Sequence, residues 1–337
     1  MRRALLLLLP VVLLASCSGG DERRTPSQRV VYREVDAAGA VSTTTVDLAP
    51  PYRARVLTRG PGGRTSGFAW DDRGLYTLGP SSAAQSAAVA PGFAGPYSGL
   101  AVSLPVAERQ HLVARGGSGQ VLDRPCTEWL SAEPLDGAPF APATANDRTT
   151  SCVDPSGLLL SDSWYVGNKL VRTRTVTSIG TGPTLDGTAL YAATPAPLPT
   201  SDTASLVRRA PRGDIFRSMQ VPLPGDPPGF RPDASVALLD RSADATAFTR
   251  EAAVLTWRRG DHLVVLRVER DLSGTSRATV RGAPVALGTL GSGHLEPVLA
   301  GLRIVVDGPR RLRLVATGDL PEAELLSWAR TLRLESP

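Results

Sequence analysis

Lysine is nearly absent from this chain: Lys169 is the only one, and the remaining basic charge is carried by arginine. That bias matches the codon usage of a GC-rich genome. Nucleic-acid binding calls for basic residues clustered on one face with aromatic or helical readout elements, and neither pattern occurs, so no nucleic-acid partner is expected. The formal charge of +5 includes Arg2 and Arg3. The three histidines, His111, His262 and His294, are isolated, and no HExxH is present, so no metal is expected. No G-x-S-x-G elbow appears, and Gly116-Gly117-Ser118-Gly119 has no following lysine of a phosphate loop. The expectation is therefore a protein that is not an enzyme and needs no cofactor. Aromatic residues make up only 5% of the chain.

What is plentiful points elsewhere. The chain has 337 residues, 42% of them apolar, with 33 glycines and 29 prolines. That length accommodates two domains, and the mixture suits short strands joined by many turns.

The N-terminus has a positive start at Arg2 and Arg3, an apolar run over residues 4–14 broken by Pro10, and then Leu14-Ala15-Ser16-Cys17. The run is shorter than the ~20 residues a spanning helix needs, so it reads as a leader. The LASC tetrapeptide resembles the lipobox of bacterial lipoproteins. That resemblance implies cleavage before Cys17, a diacylglycerol thioether on its sulfur, and often an acyl chain such as palmitate on the new amino group. Residues 1–16 are then a signal peptide and 17–28 a flexible polar tether. The expected location is the extracytoplasmic face of the cell membrane, held by lipid. Cys126 and Cys152 remain as an even pair in an oxidising compartment, and a disulfide between them is expected. No CxxC spacing favours a metal or a catalytic thiol.

From residue 29 the chain alternates in strand-like runs at 29–35, 41–48, 52–57, 66–71 and 75–78. Residues 79–99 are small and punctuated by proline and glycine, and are expected to form a flap or an insertion. A short helix is expected over 105–114. Further strands carry Cys126, Thr127 and Trp129, then Leu158, Leu160 and Trp164, and Gly167-Asn168 is a two-residue hairpin turn. A half-helix is expected over 185–191. The run Val153-Asp154-Pro155-Ser156-Gly157-Leu158 between strands resembles the bacterial lipoprotein carriers of the LolA/LolB type. The resemblance implies a curled antiparallel half-barrel over residues 29–192, short helices on its open side, and a concave face that binds acyl chains. Phe68, Trp70, Tyr76, Trp129 and Trp164 are the candidates to line that face, or alternatively to fill a packed core.

Residues 193–233 are rich in proline and read as a linker; Arg212-Gly213-Asp214 within them is a chance tripeptide. Residues 234–337 read as a smaller α+β domain. Strands are expected at 253–257, 262–268, 277–281, 285–290, 301–306 and 311–316. A helix capped by Asp319 and Glu322 should bury Leu325, Trp328, Ala329 and Leu332. A β-domain ending in Gly318-Asp319-Leu320-Pro321 and a helix resembles the C-terminal domain of periplasmic sigma-factor regulators of the RseB/MucB type, and the two-domain order is similar as well.

The whole therefore reads as a mostly antiparallel α+β lipoprotein that binds a lipid or acylated ligand for transport or envelope sensing. Alternatively it is a regulatory module that binds an envelope protein of the anti-sigma-factor type. The anchoring has a direct test. Replacing Cys17 with Ala should move the protein from the membrane pellet to the soluble or unprocessed fraction, as read by fractionation and mass spectrometry of the N-terminal peptide. Unchanged membrane retention with a processed N-terminus would rule the thioether anchor out.

Overall fold

The computed structural model describes residues 27–49, 53–70, 75–78, 99–136, 140–185, 205–241, 248–273, 280 and 282–334. The leader with Cys17, nearly all of the tether, residues 79–98 of the expected flap, the half-helix beyond Leu185 and most of the strand at 277–281 lie outside these. So do the side chains of Trp70 and Tyr76.

Two open antiparallel sheets hold the strands of the described residues. The first contains β1 (Gln28–Asp36), β2 (Val41–Ala49), β3 (Arg53–Arg59), β4 (Thr65–Trp70), β5 (Leu75–Leu78), β6 (Ala114–Val121), β7 (Arg124–Ser131), β8 (Asp147–Val153), β9 (Leu159–Val166) and β10 (Lys169–Thr181). Its order is β5-β4-β3-β2-β1-β10-β9-β8-β7-β6, so two meanders meet where β1 pairs with β10. It ends in two edges and does not close into a barrel, as a half-barrel requires. Gly167 and Asn168 both have positive φ, 55° and 63°, which gives the tight turn expected between β9 and β10.

The second sheet is β11 (Ser205–Arg209), β12 (Arg231–Arg241), β13 (Phe248–Arg259), β14 (His262–Asp271), β15 (Ala283–Ala286), β16 (Ser292–Val298), β17 (Gly301–Asp307) and β18 (Leu312–Gly318), in the order β11-β12-β13-β14-β18-β17-β16-β15. Three α-helices, α1 (Leu100–Arg109), α2 (Arg212–Ser218) and α3 (Glu322–Ala329), and one 3-10 turn at Gly288–Leu290, where the strand expected at 285–290 has already ended, complete the described elements.

Several expectations need correction. The stretch read as a linker contributes β11 and α2 to the second unit from Ser205 onward, and Ile215 and Phe216 of α2 are buried in its core. Pro211 takes the N-cap position of α2, and Pro232 lies near the start of β12. Trp257 Nε1 donates to Asp226 at 2.7 Å and Trp328 Nε1 to the Gly225 carbonyl at 3.1 Å, while the two indoles meet edge to face at 5.4 Å. Leu325, Trp328, Ala329 and Leu332 are all buried, as their spacing predicts, but Asp319 does not cap α3. Pro321 takes the N-cap position without a side-chain bond, and the Asp319 carboxylate instead accepts the Leu263 N–H at 2.9 Å.

The helix expected over 105–114 starts five residues earlier and carries Pro105 inside it. Burial outweighs the backbone bond that Pro105 cannot make. Leu100, Leu104 and Ala107 enter the first core, and Val106 enters the second. The helix end is tied to the second unit by Gln110 Nε2 donating to the Leu295 carbonyl at 2.9 Å and by the Arg109–Glu322 ion pair. Its start is equally close: a Cβ on Gly99 would lie 2.0 Å from the Gly301 nitrogen.

β6 was hidden from sequence propensity by its glycines. A Cβ at Gly119 would lie 3.0 Å from Cys152 Sγ and 3.3 Å from Cys126 Sγ, so the residue is small because the disulfide lies over it. Cys126 and Cys152 are bonded diagonally across β7 and β8, with Cα atoms 5.5 Å apart and both side chains buried. The bond staples the loop from Ala132 to Asn146 onto the sheet. Reduction, or the Cys126→Ala/Cys152→Ala double variant, is expected to lower unfolding free energy by about 3.5 kcal/mol in the chain-entropy description. Denaturant titration with and without reductant checks this, and an unmoved midpoint counts against it.

Candidate functional site

Antiparallel pairing places directly opposed residues on the same face, so the register of the first sheet can be read as rows crossing the strands. On the face that carries Tyr32, one row runs Ile179, Val30, Val46, Val56, Phe68. It passes from fully buried at Val30 to 41% exposed at Phe68. Leu48 and Ala54 lie beside it, also buried.

Toward the other end of β1 and β10, and on across β9, β8 and β7, the same face turns polar. Trp129, Ser151, Asp162, Arg174 and Glu34 form one row, and Ser131, Thr149, Trp164 and Arg172 form the next. Arg174 donates through Nε to Asp162 Oδ2 at 2.9 Å and through Nη1 to Asp136 on the stapled loop, with its guanidinium 5.3 Å from the Tyr32 ring centroid. Arg172 lies 3.4 Å from Asp162, 3.8 Å from Asp136 and 3.9 Å from Glu34. Glu34 also accepts from the Thr44 hydroxyl at 2.6 Å.

Burial pushes the Asp162 carboxyl above its ordinary range, and Arg174 and Arg172 only partly offset it. Burial acts the same way on Asp136, but there the charge and hydrogen bond of Arg174, with the charge of Arg172, outweigh it and hold the group below the usual value. Because the folded value of Asp136 lies below its unfolded one, its tie to Arg174 contributes stability above the ordinary carboxylate range. The contribution is lost as pH falls through the lowered value.

Of the three singled-out aromatics whose side chains are described, Phe68 stands apart from Trp129 and Trp164. Phe68 on β4 and Trp129 on β7 stand seven strands apart in the sheet order. Trp129 is 5% exposed within the first core with Arg115 5.0 Å over its ring, so it packs, whereas Trp164 is half-buried. Trp70 and Tyr76 have backbone partners in Ala54 and Ala69, and their side chains lie outside the described residues. Sequence reasoning missed Arg172, Arg174, Asp162, Asp136 and Glu34. Their signal was opposite charge at strand positions whose parity matches buried neighbours: Arg174 two before Val176, Glu34 two after Tyr32.

Among the described residues no group of three or more histidine, cysteine or acidic side chains could hold a metal ion, and no helix is long and apolar enough to cross a membrane. Arg174 is the group on which the polar rows depend. Arg174→Met leaves two carboxylates buried beside each other and is expected to cost about 3–5 kcal/mol of stability in equilibrium unfolding. A loss below about 1 kcal/mol, the range of an exposed ion pair, would contradict the buried cluster.

No family model matches the chain, and no curated protein matches it. Among solved structures it is similar to MucB in complex with the periplasmic part of MucA, at 16% identity over 94% of this chain and 96% of that one, with a TM-score of 0.32. A Pseudomonas aeruginosa MucA/MucB complex gives 16% identity over the same shares and a TM-score of 0.34. The Mycobacterium tuberculosis lipoprotein LppX gives 13% identity over 48% of this chain and 90% of that one, with a TM-score of 0.28.

Proposed function

We propose that this protein is a lipoprotein anchored through Cys17 at the extracytoplasmic face of the membrane, and that it binds a lipid or acylated molecule on the Tyr32 face of its ten-stranded sheet. One observation carries the reading: that face is apolar at one end and hydrogen-bonding at the other. The row from Val30 to Phe68 crosses β1 to β4 and reaches the surface, and the rows of Arg172 and Arg174 cross β7 to β10, meeting the apolar row's strands only at β1 and β10. A single amphiphile lying obliquely across the sheet, from β3 and β4 toward β9 and β10, would meet matching chemistry at both ends. Burial of its chain against Val56 and Phe68, the members of that row that reach the surface, would contribute about 25 cal/mol per Å² of apolar surface.

A second reading, an interaction module for another envelope protein, is favoured by β6. This strand is a sheet edge whose ladder is satisfied only by β7, and most of its residues are exposed, so an extended segment could add to it. Native mass spectrometry of protein purified from its own membranes separates the two. Lipid mass adducts that disappear in Val56→Asp/Phe68→Asp support the first. An adduct-free chain that retains one protein partner would sink it.

A further inference from the structure

We infer that Thr149, Ser151, Trp164 and Arg172 form a subsite for an uncharged, hydroxyl-bearing headgroup, a sugar or a glycerol, at the polar end of this face. The inference rests on the reading that the apolar rows hold an acyl chain. Among the described residues, five buried side-chain polar atoms have no hydrogen-bond partner, and four of them are Thr149 Oγ1, Ser151 Oγ, Trp164 Nε1 and Arg172 Nε. Orphaned polar atoms are costly in a protein interior, and native structures hold few of them. Here they are not scattered. Thr149, Trp164 and Arg172 are direct neighbours in one row, and Ser151 sits in the adjacent row beside Asp162. Thr149 and Ser151 are fully buried, while Trp164 is half-buried and the Arg172 side chain is 26% exposed. Two members are thus partly exposed, and the two beside them on the same face are fully covered.

The donor set selects the ligand. Trp164 Nε1 and Arg172 Nε can only donate, the hydroxyls of Thr149 and Ser151 donate or accept, and the neighbouring carboxylates accept. Charge excludes an anion, because the two guanidiniums of Arg172 and Arg174 already face three carboxylates, Glu34, Asp136 and Asp162. A phosphate would add to that negative excess, whereas a polyol meets donors and acceptors alike.

The test compares two amphiphiles with the same chain, octyl glucoside below its micellar concentration and octyl phosphate, on the full protein at neutral pH. Titrations follow the Trp164 indole N–H resonance, assigned with Trp164→Phe. Octyl glucoside should shift that resonance and bind about tenfold tighter than octyl phosphate, the worth of one to two hydrogen bonds. The Thr149→Val/Ser151→Ala variant should lose the preference without a lower melting temperature, since neither hydroxyl holds a protein bond. Equal binding, a preference for the phosphate, or a preference that survives in the double variant overturns the headgroup assignment and leaves the acyl reading standing. If neither amphiphile binds, methyl glucoside decides. A Trp164 shift with it retains the headgroup subsite and removes the acyl reading, and no shift removes both.

Discussion

The pairing of β1 with β10 is the constraint on which the first unit depends. It brings residues 28–36 against 172–181 across more than a hundred intervening residues, so its closure entropy must be offset by what the contact buries. Val30 and Tyr32, both fully buried, supply that, and the Tyr32 hydroxyl donates to the Leu159 carbonyl at 2.8 Å. The same register sets Glu34 opposite Arg174 and Val30 opposite Ile179. A slip of one residue would turn every one of these side chains to the other face. The irregularity at Val31/Tyr32 is where the strand adjusts to keep both ends in phase.

The opposite face is organised by a second buried charge. Asp47, fully buried, accepts from Arg29 at 2.7 Å and from Arg55 at 2.7 Å. Gly182 and Ser27 close over this group, and the Arg53 guanidinium donates to the Leu185 carbonyl at 2.9 Å. The two faces differ in kind. The Asp47 group is satisfied by its own neighbours, whereas the rows of Thr149 and Ser151 are not, which is why the second set carries a functional reading and the first a structural one.

Where alternation and turn chemistry agree, the fold was readable from sequence. Ala54 and Val56 face the core as their spacing implies, Arg53 and Arg55 face away, and Gly167-Asn168 forms its turn. The misses share a cause, which is that small or cyclic residues were placed by contacts invisible to local patterning. β6 carries glycines because Glu128 and the disulfide crowd it, and β16 carries Gly293, hard against Leu287, and Pro297. Of the candidate site, the aromatic positions were legible as apolar sites but not their separation, since that is fixed by sheet order. The charged rows escaped because the acids that meet Arg172 and Arg174 come from β9, β1 and the stapled loop, far from β10 in sequence or across a strand pair.

Helix α1 gives the boundary between the units an unusual character. Its Leu104 side belongs to one core and its Val106 side to the other, and Gln110 finds its acceptor 185 residues later, at Leu295. During synthesis the first sheet can therefore assemble around one flank of a helix whose other flank is still bare. The last quarter of the chain covers that flank. Loss of the second sheet would therefore uncover Val106 and take from Gln110 its acceptor, on a helix that the first sheet still holds by Leu100, Leu104 and Ala107.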